Sequence, residues 1–144
     1  MESNQISDEK KMELRKIFPL MFQLKGQTVG IIGFGRIGQN LVPMAKGFGM
    51  KVVVYDPHVP SHVFNELGVE RVTIDYLIEN SDFISIHSLF TLSSKHMFNM
   101  ETFKKMKNTA YLINCARSDF VDEKALYTAI EKYLGEENAR FSHL

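Results

Sequence analysis

Tryptophan is absent from this sequence, cysteine occurs once and proline four times. With Cys115 alone, no internal disulfide can form and no thiol cluster is available for zinc. A disulfide-stapled fold is therefore not expected, and no metal site is predicted. Excess charge of either sign is missing too, because 17 Lys and Arg balance 17 Asp and Glu. That balance argues against the broad basic footprint of a nucleic-acid-binding protein. It leaves room for a small anion site built from backbone N–H groups. No apolar run reaches the roughly 18 residues of a membrane span, and the polar, acidic start MESNQISDEKK is no secretory leader. The expectation is a cytoplasmic protein with neither nucleic acid nor membrane as partner.

What is present suits one globular domain: 144 residues, 44% hydrophobic and 24% charged. Ser7 is placed to cap a helix over 8–18, with Met12, Leu14, Ile17 and Phe18 as its apolar positions and Pro19 at its end. Leu20, Met21 and Phe22 then need burial, against this domain or against a partner. From Lys25 onward strand and helix patterns alternate. TVGII (28–32) reads as a strand. The following helix carries Ile37, Leu41, Met44, Ala45 and Phe48 at helical spacing, with a bend expected at Pro43 and a stop at Gly49. VVVY after Lys51 is an apolar strand of the kind found inside parallel sheets. A short helix over 61–67 ends at Gly68. Residues 70–73 make a weak edge strand, and Thr73 caps a helix over 74–79. Phe83–Ile86 is a fourth strand, Asn99 caps a helix near 101–106, Ala110–Ile113 is a fifth strand, and Asp122 caps a helix over 123–134 that stops at Gly135. This alternation predicts an α/β fold, a doubly wound parallel sheet of Rossmann type with strand order 3-2-1-4-5.

The strongest motif is Gly33-Phe34-Gly35-Arg36-Ile37-Gly38, set between a strand and a helix. A GxGxxG alone is weak, but this context gives each glycine a task. Gly33 makes the tight turn, Gly35 lets the backbone approach a pyrophosphate, and Gly38 lets the helix pack close to the strand. The first N–H groups of the helix, around Arg36 and Ile37, lack intrahelical partners and point at the phosphates. The Arg36 side chain either lies near them or is a solvated surface charge. Asp56 stands 23 residues after Gly33, at the end of the second strand. A carboxylate there accepts the adenosine-ribose hydroxyls and repels a 2′-phosphate, so the cofactor is read as NAD rather than NADP. A plain Asp-Pro turn is the competing reading. The chain divides into a polar segment and short helix (1–23), an NAD-binding domain (24–135) and a tail (136–144).

The segment LKGQTVGIIGFGRIGQNLVPMAKGFGMKVVVYDP, followed by SDFISIH, MFNMETFKKMKNTAYLINCAR and VDEKAL, resembles the cofactor domain of the D-isomer-specific 2-hydroxy-acid dehydrogenases. That family includes phosphoglycerate, glycerate and D-lactate dehydrogenases. The resemblance implies that Arg117 is the catalytic arginine that grips a substrate carboxylate, a task suited to a planar guanidinium. It implies that His87 borders the nicotinamide half of the site. Cys115 and Ala116 would lie beside the nicotinamide, with Cys115 a small buried filler rather than a nucleophile. Read without the family, His87 could simply satisfy a strand end and Arg117 could be a surface residue. The substrate would be a small 2-hydroxy or 2-keto acid.

Departures accompany the matches. His87-Ser88-Leu89-Phe90-Thr91 stands where the family carries HxPLT, which loosens that loop. Arg117-Ser118 replaces Arg-Gly, which strains Ser118 if its φ is positive, and Asp119 adds a negative charge nearby. Only about 23 residues precede Leu24, too few for the family's substrate domain. The family's catalytic glutamate and its histidine that exchanges the proton have no counterpart, and His143 in GEENARFSHL does not fit that role. The expectation is an oxidoreductase-related NAD-binding protein, incomplete or inactive as a catalyst, whose partner is a second copy or a complementing chain. The alternative is a non-catalytic binding or interaction module on the retained fold.

Overall fold

The computed structural model describes Ser7, Glu9 and residues 23–134. Apart from Glu9, the expected helix over 8–18 lies outside the described residues, as do Pro19, the run 20–22, Gly135 and the tail with His143. The described chain forms a five-stranded parallel sheet in the order β3-β2-β1-β4-β5. The strands are β1 (Thr28–Ile32), β2 (Lys51–Tyr55), β3 (Glu70–Arg71), β4 (Phe83–Ile86) and β5 (Tyr111–Asn114). Between them run α1 (Arg36–Gly47), α2 (Ser61–Leu67), α3 (Ile74–Asn80) and α4 (Met100–Lys105), and α5 (Glu123–Ala129) follows β5. The predicted fold and strand order are those observed.

Strand alternation sends successive side chains to opposite faces, so each face acquires its own core. Val29 and Ile31 of β1 pack with Val54, Val42, Ala45 and Phe64 beneath α1 and α2. Ile32, Val53, Ile84, Ile86 and Leu112 pack with Leu77, Phe103 and Leu126 on the face of α3, α4 and α5. Three predicted caps are formed. Thr73 Oγ1 accepts from Tyr76 N, Asn99 Oδ1 from Glu101 N and Thr102 N, and Asp122 Oδ1 from Lys124 N and Ala125 N. Gly68, left-handed at φ 59°, ends α2. Lys46 of α1 donates to the terminal carbonyls of Leu67 and Gly68 at 2.7 and 2.8 Å, a cation where the α2 dipole favours one.

Several boundaries differ from expectation. β5 starts at Tyr111 rather than Ala110, because Tyr111 N is the first to join the ladder, donating to Asp82 O at 2.9 Å. β3 is only two residues long, since Thr73 is committed to capping α3. The last helix keeps α geometry to Ala129 and continues as a π turn over Ile130–Leu134. α1 runs through Pro43 without interruption. Its buried face is Gly38, Val42 and Ala45, whereas Ile37, Met44 and Phe48 of the expected apolar row are exposed. Gly38 decides this: a Cβ on it would sit 2.3 Å from the Gly33 carbonyl oxygen. Only a glycine allows that approach, and it turns the 38-42-45 stripe toward the sheet.

Candidate functional site

The reversal of strand order between β1 and β4 opens a crevice at their carboxyl ends, where ligands bind in doubly wound sheets. The ladder extends beyond the strands there: Gly33 N donates to Tyr55 O at 2.9 Å and His87 N to Ile32 O at 2.7 Å. Around this point lies a crevice of about 630 Å³ lined by Gly33, Gly35, Asp56, Val59, His87 and Leu89, among others. The size is within the range of small-molecule sites.

The glycine loop forms one wall. Gly33 has φ 91°, and a Cβ there would lie 2.5 Å from both Ser88 Cα and Ser88 N. The loop is thus pressed against the β4 exit. A Cβ on Gly35 would meet nothing within 4 Å, so the backbone at the entrance of α1 faces open space. Gly35 is the N-cap and supplies no side-chain acceptor, and the first turn carries no acidic residue. The positive end of a 12-residue helix is left uncompensated.

Phe34 gives this loop its rigidity. Its ring is fully buried and stacks on Phe64 with centroids 4.9 Å apart. Its N–H donates to Asp56 Oδ2 at 2.7 Å, and its carbonyl accepts from Gln39 Nε2 at 2.8 Å. Asp56 Oδ1 accepts from His58 N at 2.8 Å and Val59 N at 3.2 Å. Asp56 therefore does form an Asp-Pro turn, and it ties the glycine loop as well. Of the roughly four lone-pair positions on a carboxylate, three meet backbone N–H groups, which leaves an acceptor position on Oδ2.

The imidazole of His87 bonds through Nε2 to Ser85 Oγ at 2.8 Å, and its Nδ1 is buried without a protein partner. Burial pushes its pKa below the ordinary histidine value, which favours the neutral ring.

Ala116 and Arg117 line a second groove of about 590 Å³ between the β5 exit and α5, together with Asn114, Leu126 and Tyr127. Arg117 is exposed, as are Arg36 and Ile37 at the start of α1. Cys115 is exposed as well, which corrects its reading as a buried filler. β5 ends at Asn114, and Cys115, whose N–H still donates to Ile86 O at 3.2 Å, lies just past it. Ser118 carries no strain: it opens a 3-10 turn over Ser118–Phe120, and His96 at φ 53° is the only described non-glycine residue with positive φ. Two residues escaped the sequence reading. Asn114 holds the β5 exit, donating to Arg117 O at 2.8 Å and accepting from Ala116 N at 3.0 Å; an Asn at a strand end is a turn signal. Gln39 had no such signal. Among the described residues no cluster of three or more His, Cys, Asp or Glu could hold a metal, and no helix is long and apolar enough to cross a membrane.

Residues 2–134 match a family model described as the NAD binding domain of D-isomer specific 2-hydroxyacid dehydrogenase. D-3-phosphoglycerate dehydrogenase of Methanocaldococcus jannaschii is 44% identical over 111 residues, covering 76% of this chain and 21% of that protein. A solved Salmonella D-lactate dehydrogenase superposes with a TM-score of 0.77 at 34% identity, over 85% of this chain and 36% of that one. The NAD-complexed form of a D-isomer specific 2-hydroxyacid dehydrogenase from Lactobacillus delbrueckii ssp. bulgaricus gives a TM-score of 0.76 at 31% identity, over 86% and 36%. The chain thus spans between 21% and 36% of the length of these relatives.

Proposed function

We propose that this chain, which belongs to the D-isomer-specific 2-hydroxyacid dehydrogenase family through its NAD-binding domain, binds NAD in preference to NADP in the crevice at the β1–β4 switch point. The observation that carries this reading is the 2.7 Å bond from Phe34 N to Asp56 Oδ2. It sets a carboxylate against the glycine loop, where it serves as acceptor for an adenosine-ribose hydroxyl and as a repulsive charge toward a 2′-phosphate. The open space before Gly35 and the uncapped start of α1, with the N–H groups of Arg36, Ile37 and Gly38, suit a pyrophosphate. His87 borders the same crevice, and Cys115 and Ala116 would lie toward the nicotinamide end.

A bound nicotinamide would supply the redox chemistry. Arg117 would hold the carboxylate of a small 2-hydroxy or 2-keto acid. Oxidation of such a hydroxyl also needs a group to take its proton. Among the described residues, the groove that contains Arg117 has no histidine. The chain is accordingly read as the dinucleotide-binding part of an oxidoreductase, with proton transfer and substrate enclosure supplied from outside the described residues.

An equilibrium titration with NADH, followed through the nicotinamide's fluorescence and run in parallel with NADPH, tests the reading; the absence of tryptophan leaves the ligand signal clear. Saturable NADH binding, about tenfold or more tighter than NADPH, is expected from the like-charge cost at Asp56. No saturable binding by a folded sample would overturn it.

A further inference from the structure

We propose that Gln39 is a positioning residue for the pyrophosphate: it withholds the Phe34 carbonyl from the anion site and so fixes the direction of the Gly35 N–H. The inference rests on the dinucleotide reading above and adds a residue to it. Gln39 lies in the second turn of α1, half-buried, and its backbone N–H makes the first intrahelical bond to Gly35 O at 2.9 Å. Its side chain folds back toward the loop and donates through Nε2 to Phe34 O at 2.8 Å.

The consequence follows from peptide geometry. The Phe34 carbonyl and the Gly35 N–H belong to one planar peptide unit, and no peptide bond among the described residues is cis. In a trans peptide the two groups point in opposite directions. A carbonyl held toward Gln39 therefore turns the Gly35 N–H the other way. Were the unit to rotate, a carbonyl oxygen would face the phosphates where a donor is needed. Gly35 is poorly able to resist this rotation itself, because it has no Cβ and nothing lies within 4 Å of where one would be. Its neighbour is fixed on the other side by Asp56 Oδ2 at the Phe34 N–H and by the Phe34–Phe64 stack. Gln39 supplies the remaining restraint.

The test compares the unsubstituted chain with Gln39→Leu, Gln39→Glu and Gln39→Lys, measuring NADH affinity by fluorescence and stability by urea unfolding. Leucine keeps most of the bulk without a donor, glutamate turns an acceptor toward the carbonyl, and lysine restores a donor. Losing one hydrogen bond of ordinary strength corresponds to about three- to tenfold weaker binding. That loss is expected for Gln39→Leu, a larger one for Gln39→Glu, and recovery to within about twofold for Gln39→Lys. The affinity order should follow donor capacity irrespective of the order of unfolding midpoints. If the unsubstituted chain binds NADH and all three variants bind it equally, or if affinity merely tracks the midpoints, the inference is wrong. If the unsubstituted chain does not bind NADH, the dinucleotide reading itself fails.

Discussion

Replacing Gly33 by alanine is expected to destroy NADH binding and to lower unfolding stability by about 3 kcal/mol or more. Two costs combine. The backbone sits at φ 91°, where a side chain adds roughly 1–2 kcal/mol. The new Cβ would also fall 2.5 Å from Ser88 Cα and N and 2.7 Å from the His87 carbonyl carbon. All three are backbone atoms at the exit of β4, so no rotamer change relieves the contact. The loop must move away from β4, and the crevice between them changes shape. Urea unfolding and an NADH titration on the same preparation check this. An alanine variant with unchanged midpoint and unchanged affinity would show that the loop is not held against the exit of β4.

The second large effect is expected at Asp56. In Asp56→Asn the side chain keeps one oxygen, while three backbone N–H groups still converge on it. Whichever way the amide turns, its NH₂ faces either Phe34 N–H or the pair from His58 and Val59, donor against donor. Either the glycine loop or the turn after β2 loses its acceptor. Hydrogen bonds to a charged group contribute about 1.5–3 kcal/mol. NADH affinity should therefore fall roughly 10- to 100-fold. Selectivity should narrow as well, because the charge that repels a 2′-phosphate is gone. NADH and NADPH titrations of the variant measure both. An asparagine variant that keeps the full preference for NADH would remove Asp56 from the account.

Much of the architecture was legible because it rests on local rules. Thr73, Asn99 and Asp122 announced helix starts, Gly68 announced a stop, and the apolar runs 28–32 and 83–86 had the length and composition of buried parallel strands. GFGRIG and Asp56 were readable for the same reason: each glycine meets a steric demand that the sequence context implies. What escaped depends on contacts between distant positions. The rotation of α1 is set by Gly38 against the Gly33 carbonyl, so that of the row read from helical periodicity Ala45 is buried while Ile37, Met44 and Phe48 face solvent. Phe34 reads as the variable residue of a glycine motif, yet it is a core residue stacked on Phe64, 30 positions away. Asp56 could be read as a turn residue or as a ligand group; its bond to the Phe34 N–H, which joins the two roles, crosses between strands. Cys115 is read as buried because small apolar residues usually are, whereas it lies exposed immediately past the end of β5.

A dinucleotide seated at the β1–β4 switch point would lie across the glycine loop and Asp56. Residue-resolved amide hydrogen exchange, with and without saturating NADH, tests this placement most directly. Slowed exchange is expected at Gly35, Arg36 and Ile37, with accompanying protection at His58, Val59 and the His87–Leu89 exit of β4. NADH binding with protection confined to other parts of the chain, and none in the glycine loop, would contradict it.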